Sequence, residues 1–322
     1  MSLEADRWFP ELNNLKILIT GASGFIGGHL IQIMQKLNLE ILGIDKRPQS
    51  VTSGAPFRLI DCKDLAALRQ VFVEFKPEVV IHLAARTDLK GRNLEDYADN
   101  ILGSENVFNL SSQSKLIVAS SRLVFNPHVM EPSNPYAYSP NSWYGESKVI
   151  MEKLVSGIPN ATIVRPTSIW GPNCGEPYNG LIKNIRRGTY VQSQSRETIK
   201  TLGFVKNTAY QIISLILKEN LPKCPINLGD GNYDMNDFCI SLARELQVRP
   251  PLNVNYYAIE TASRIGSVLN RVGFNSPLTH ERFKNIYHSQ TYSLELIHDI
   301  APNLPFSFRD ALAEFANWGK NL

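Results

Sequence analysis

Tyr144 and Lys148 stand four residues apart in the run Trp143-Tyr144-Gly145-Glu146-Ser147-Lys148. On a helix, residues i and i+4 share a face, so this spacing predicts an ammonium beside a phenol, favouring the phenolate. A phenol of ordinary pKa about 10 then becomes a proton acceptor near neutrality. Many solvated helix faces carry the same spacing, so its weight comes from what lies upstream. Gly21, Gly24 and Gly27 form G-x-x-G-x-x-G within Leu18-Ile19-Thr20-Gly21-Ala22-Ser23-Gly24-Phe25-Ile26-Gly27. Glycines so spaced permit a tight turn and let the unpaired N–H groups of a helix start approach a pyrophosphate. Asp45 follows roughly twenty residues later, where a carboxylate accepts hydrogen bonds from both hydroxyls of an adenosine ribose. It would repel a 2′-phosphate, which argues for NAD over NADP, although Lys46 and Arg47 bring cations to the same place.

These groups need a frame. Short apolar runs rich in Val, Ile and Leu occur at 16–20, 40–44, 57–60, 79–83, 115–119 and 161–164, without strict alternation, as expected of strands covered on both faces. Helical patterns fall between them at 24–37, 64–75, 93–113 and 143–156. Strand and helix in alternation imply right-handed crossovers and a parallel, doubly wound sheet. The glycine turn then lies between the first strand and first helix. Beyond residue 170, Pro172, Pro177, Pro222, Pro225, Pro250 and Pro251 punctuate shorter elements. The expected organisation is an N-terminal extension over 1–15, a nucleotide-binding domain over 16–170 and a smaller lobe over 171–322, with some of its elements returning to the sheet.

The chain has 322 residues, 33 Lys plus Arg, 30 Asp plus Glu and a net charge of +3. Such a balance makes no electrostatic case for nucleic acid or a membrane surface. Cys62, Cys174, Cys224 and Cys239 form no Cys-x-x-Cys pair and the His residues show no metal-ligand spacing, so no metal is expected. Absence of a signal-like start and of a long apolar run leads to the expectation of a soluble, cytoplasmic protein.

With the glycine loop, Asp45 and the Tyr144 to Lys148 pair in place, the chain resembles the extended short-chain dehydrogenase/reductase family, in particular its NAD-dependent nucleotide-sugar epimerases, dehydratases and reductases. The resemblance runs from about Lys16 to Trp318. It implies an α/β fold of Rossmann type with a C-terminal substrate-binding lobe. Cofactor contacts follow at Gly21, Ser23, Gly24, Phe25, Ile26 and Gly27, then at Asp45 and Lys46. Asp61 would meet the adenine amino group and Cys62 would contribute backbone. Leu83, Ala84 and Ala85 match the small-residue turn under the cofactor, Asn100 the helix asparagine near the active site, and Pro166 the segment against the nicotinamide. Ser121, at the end of Val118-Ala119-Ser120-Ser121, falls where the family places its catalytic Ser or Thr. Ser121, Tyr144 and Lys148 are thus the implied catalytic trio, with Tyr144 and Lys148 also touching cofactor.

Substrate contacts are implied at Ser121, Arg122, Lys200 and Arg282, with Arg186 and Arg187 as further cations for a diphosphate. Family dehydratases follow the catalytic hydroxyl with Asp-Glu; here Arg122 and Leu123 occupy those positions, which disfavours dehydration because leucine exchanges no proton. Lys200 stands where many relatives carry an arginine, offering charge without a planar fork. The resulting expectation is oxidation or reduction at a carbinol of a nucleoside-diphosphate sugar, as a 4-epimerase or 4-oxidoreductase, by a homodimer. A reductase of a non-nucleotide ketone or lactone remains open, as does a non-catalytic dinucleotide-sensing regulator.

Overall fold

The computed structural model describes residues 8–9, 12, 14–48, 54–193, 196–274, 276 and 278–322. Among these, twelve strands follow in chain order: β1 (Lys16–Thr20), β2 (Glu40–Asp45), β3 (Phe57–Leu59), β4 (Val79–His82), β5 (Lys115–Ala119), β6 (Ala161–Pro166), β7 (Ser168–Trp170), β8 (Val191–Ser193), β9 (Ile199–Phe204), β10 (Ile226–Leu228), β11 (Gly231–Asp234) and β12 (Leu252–Val254). Seven form one parallel sheet in the order β10-β6-β5-β4-β1-β2-β3. The order in which strands are added reverses between β1 and β4, which run parallel, and this opens a crevice at their carboxyl ends.

Alternation of side chains across the pleat sends each strand's residues into two cores. Ile17, Ile19, Ile81, Ile117 and Val164 pack beneath α1 (Phe25–Met34), while Leu18, Val80, Val118 and Ile163 pack beneath α2 (Leu65–Phe75), α3 (Ala98–Leu110) and α4 (Trp143–Val155). All of these strand residues but Ile163 are buried to 3% exposure or less, which is why the runs read as continuous apolar segments. Burial of such a side chain contributes roughly 1.5–3 kcal/mol.

Past residue 170, α5 (Tyr178–Arg186), α6 (Val205–Ile216) and α7 (Met235–Leu246) surround a small sheet of order β11-β9-β7. Its core is aromatic: Trp170 lies 5.3 Å from Phe204, 5.0 Å from Phe238 and 5.5 Å from Phe315, centroid to centroid. A second small unit holds α8 (Tyr256–Arg271) and α9 (His280–Tyr287) beside the β12-β8 pair; α10 (Glu295–Ile300) and α11 (Phe308–Gly319) complete the chain. Two elements return to the large sheet: β10 extends its edge beyond β6, and α6 packs on α1.

Two helices are shorter than their sequence pattern predicts. The first ends at Met34, and the stretch from 93 opens with a single 3-10 turn, Glu95–Tyr97, before α3. Of the N-terminal extension, Phe9 and Leu12 are 3% exposed and join the core under α1 and α6; the residues before Trp8, with Pro10, Glu11 and Asn13, lie outside the described residues.

Candidate active site

The glycine turn closes on itself through Gly24 N–H donating to the Gly21 carbonyl at 2.9 Å. Gly21 has φ of +72°, and a Cβ there would sit 2.6 Å from the Ala84 nitrogen, so only glycine lets this turn pass the end of β4. Gly27 faces inward, and a Cβ on it would lie 2.2 Å from the Gly21 carbonyl oxygen. The N-cap of α1 is Gly24, with no side chain bonded to the helix's first N–H groups; α4, by contrast, is capped by Ser142 Oγ accepting from Gly145 N–H at 3.1 Å. An uncapped amino end at the crevice is an anion site.

Asp45 closes β2. Its buried carboxylate accepts from Ser23 N–H at 3.1 Å and Arg47 N–H at 3.0 Å, which orients it beside the glycine turn. Both neighbouring cations are drawn to carboxylates: Arg47 Nε lies 3.6 Å from Asp45, and Lys46 pairs with Asp99. Lys63 also binds Asp99, at 2.9 Å, and stands 3.8 Å from Asp61.

At the other end of the crevice β5 delivers Ser121 into a 3-10 turn, Arg122–Val124, which Ser121 Oγ caps by accepting from Leu123 N–H at 3.1 Å. Helix α4 lies against this turn because residue 145 is glycine: a Cβ there would be 2.3 Å from the Leu123 carbonyl oxygen. That contact brings the Tyr144 phenol beside the Ser121 hydroxyl. Burial raises the pKa of the phenol above its ordinary 10, while hydrogen bonding with Ser121 and the Arg122 charge pull it down.

The expected effect of Lys148 on that phenol does not appear. Lys148 shares the face with Tyr144, but its ammonium donates to the Ala119 carbonyl at 2.8 Å and reaches Met151 Sδ at 3.6 Å. The cation acting on the phenol is Arg122. Burial lowers Lys148 to about 8, with Glu152 opposing. Glu152, one turn further along the same face, is itself held by Arg165 at 2.8 and 2.6 Å and by the Tyr138 hydroxyl at 3.0 Å.

One cleft of about 850 Å³ joins these parts. Gly21, Gly24, Phe25, Ile26, Gly27, Asp45, Lys46, Asp61, Cys62, Leu83, Ala84, Ala85, Ser121, Tyr144, Lys148 and Pro166 all line it. Ser23 does not; it serves the site by holding Asp45. Asn100 does not either. Its side chain accepts from Arg86 N–H at 2.7 Å and donates to the Arg86 carbonyl at 3.0 Å and to Ser147 Oγ at 3.0 Å, clamping the turn after β4 to α4. Burial and the acidic neighbours push the Cys62 thiol up to about 12, leaving it unreactive in the cleft wall.

Among the substrate candidates only Ser121 lines the cleft: Arg122 does not, donating instead to Gln290 and Tyr292, and neither does Lys200, which donates to the Asn285 carbonyl. Arg282 is exposed on α9 and does not line the cleft. Arg186 donates to the Gly319 carbonyl at 2.6 Å, closing the end of α11, and Arg187 is exposed. Sequence reasoning passed over Arg86, Asp99 and Ser120, all lining the cleft. Their position directly after or before assigned residues was the only available signal.

A dinucleotide fits these residues on the evidence of the cleft itself. Its walls hold a glycine cradle that any Cβ would fill, an uncapped helix start, a buried ribose-type carboxylate, and a buried Ser120 hydroxyl with no partner among the described residues. Residues 17–211 match the NAD dependent epimerase/dehydratase family, and the chain belongs to it. It is 29% identical over 205 residues to the N-acetyl-alpha-D-glucosaminyl-diphospho-ditrans,octacis-undecaprenol 4-epimerase of Escherichia coli O157:H7, covering 60% of this chain and 61% of that protein. A GDP-6-deoxy-D-talose 4-dehydrogenase of Aggregatibacter actinomycetemcomitans is 27% identical over 239 residues, 69% of this chain and 78% of its own. The match to Protein CapI of Staphylococcus aureus, 31% identical over 198 residues, spans 58% of that relative's length, so the chain covers less than two thirds of both it and the Escherichia coli protein. In fold, the chain superposes on the UDP-glucose 4-epimerase of Thermus thermophilus in complex with NAD, with TM-score 0.70 and 18% identity over 94% of this chain and 98% of that one.

Proposed function

We propose that the chain is an NAD-dependent 4-epimerase or 4-oxidoreductase of a nucleoside-diphosphate sugar. The observation carrying this reading is the convergence of Ser121, Tyr144 and Lys148 at one end of the cleft that holds Asp45 and the glycine turn at its other end. Ser121 positions the carbinol oxygen and Tyr144 takes its proton. NAD, when bound, accepts the carbinol hydride and can return it. Lys148 acts on the cofactor's ribose, and the Ser121 hydrogen bond and the Arg122 charge oppose the burial that raises the phenol's pKa. Arg122 and Leu123 after Ser121 supply no proton-exchanging carboxyl group, which supports redox chemistry without loss of water. Asp45, with Lys46 and Arg47 drawn to carboxylates, supports NAD over NADP. Leu102 and Leu154 remain exposed on α3 and α4, in keeping with a homodimer paired through these helices.

The test is incubation with UDP-, GDP-, dTDP- and CDP-sugars, following anomeric NMR signals, after identifying any nucleotide released by acid denaturation. Tightly held NAD with interconversion at carbon 4 fits the epimerase; cofactor exchanged on every turnover fits the oxidoreductase. Tyr144→Phe is expected to slow turnover by about a hundredfold or more. Unchanged turnover in that variant removes the catalytic assignment.

A further inference from the structure

We propose that Asp99 selects the cofactor: it withholds Lys46 and Lys63 from the 2′-phosphate of NADP, so that the adenosine end of the cleft accepts a ribose diol alone. This rests on the dinucleotide reading above and adds a second determinant to Asp45. Lys46 follows Asp45 at the end of β2, and Lys63 lies two residues beyond Asp61 in the turn between β3 and α2. Asp99 comes from a third segment, the first turn of α3, where the helix start favours a negative charge. Its two oxygens are divided between the cations: Oδ2 accepts from Lys46 Nζ, and Oδ1 stands 2.9 Å from Lys63 Nζ. Asp45, Lys46, Arg47, Asp61 and Asp99 all line the cleft, and Lys63 reaches Asp99 from beside it.

The charges here close on one another. Arg47 Nε lies 3.6 Å from Asp45, and Lys63 Nζ stands 3.8 Å from Asp61 as well as against Asp99. Lys46, Arg47 and Lys63 thus each face a carboxylate of this chain. Asp99 is the one that holds two of them. Its side chain is 18% exposed, against 47% for Lys46 and 37% for Lys63, so the carboxylate is the enclosed partner and draws both ammoniums toward the protein. Burial pushes the Asp99 carboxyl up, but hydrogen bonds from Lys46 and Lys63 outweigh it and hold the group below its ordinary value. Asp99 is therefore an anion at neutral pH.

A 2′-phosphate carries a charge of about −1.5 to −2 at pH 7 and needs charge-assisted donors. Lys46 and Lys63 can supply them only by leaving Asp99, and an enclosed carboxylate stripped of its cations is costly. Asp45, preset by the N–H groups of Ser23 and Arg47, adds direct repulsion at the ribose. A ribose diol brings no charge and leaves the two lysines where they are.

The test is titration calorimetry of the purified chain with NAD and NADP, repeated with 5′-AMP and 2′,5′-ADP to read the phosphate apart from the nicotinamide half. The unaltered chain is expected to bind NAD the tighter. Asp99→Asn and Asp99→Ser, which both remove the charge, should raise NADP affinity roughly tenfold while NAD affinity changes far less, with melting temperature confirming that the variants fold. In a Lys46→Met, Lys63→Met background the same replacements should bring only a fraction of that gain, because no ammonium is left to release. An NADP to NAD ratio unchanged by the Asp99 variants, or a gain of equal size without the two lysines, overturns the role of Asp99 and leaves the proposed function standing. NADP bound as tightly as NAD by the unaltered chain overturns it together with the preference for NAD. A chain that binds neither nucleotide removes this inference and the proposed function alike.

Discussion

Asp45 carries more of the cofactor argument than any other single side chain. Its carboxylate is preset by two main-chain N–H donors, so little ordering is left for a ribose diol to induce. Asp45→Asn keeps the shape and loses the charge. NAD affinity in that variant should fall about tenfold, because charge-assisted hydrogen bonds become neutral ones, and the discrimination against NADP should narrow. Titration calorimetry with both nucleotides checks this; an unaltered NAD to NADP ratio would detach Asp45 from cofactor choice. The phenol and the ammonium teach a different lesson. Spacing put Tyr144 and Lys148 on one face, yet the long lysine stem turns to the end of β5, and burial outweighs every favourable charge on the phenol.

Helix α4 and strand β4 each organise a run of polar groups. Along α4, Tyr144, Lys148 and Glu152 recur at every fourth position, and the Glu152–Arg165 pair also binds the Pro135 carbonyl and Tyr138, pinning the segment that leads into α4. At the end of β4, His82 Nδ1 lies 2.8 Å from Thr20 Oγ1 and Nε2 lies 2.9 Å from Ser104 Oγ. Ser104 donates to the Asn100 carbonyl, and Thr20 accepts from Ala84 N–H, so the neutral ring carries its proton on Nε2. Burial drops His82 from 6.5 to about 3, with Lys148 adding to the effect. The folded state therefore refuses a proton that the unfolded chain accepts. Stability from this group is complete above pH 6.5 and is lost as pH falls from there toward 3, at about 1.4 kcal/mol per pH unit. Denaturant midpoints between pH 7 and 5 should show a loss of about 2 kcal/mol in the chain and a flatter profile in His82→Gln. Parallel profiles would mean that His82 does not titrate on unfolding.

The molecule is tied together by segments far apart in sequence. The Phe9 ring lies 4.9 Å from that of Tyr210 on α6, tilted by 35°, and Trp8 lies 5.8 Å from the same ring and 6.1 Å from Phe306. The N-terminus, the returning helix and the approach to α11 thus share one aromatic knot, and α6 transmits it to α1, whose amino end faces the cleft. Phe9→Ala should cost about 3 kcal/mol in denaturant unfolding, as a buried phenylalanine does. A cost below about 0.5 kcal/mol, typical of surface positions, would mean that the knot does not hold.

Local rules carried far along this chain. Buried parallel strands must read as apolar runs, a glycine turn between strand and helix has few other uses, and helical spacing puts Tyr144 and Lys148 together, so the sheet, its switch point and most of the cleft lining could be read from residues alone. The small lobe was less legible because its strands are three to six residues long and its core is assembled from aromatic side chains in separate segments. The same holds for Asn100 and Arg122. Asn100 is spent on clamping Arg86 to Ser147, and Arg122 meets Gln290 and Tyr292 some 170 positions downstream. Hydrogen-bond partners and the balance of charge around a side chain depend on which distant segments fold against it, and no local pattern encodes that.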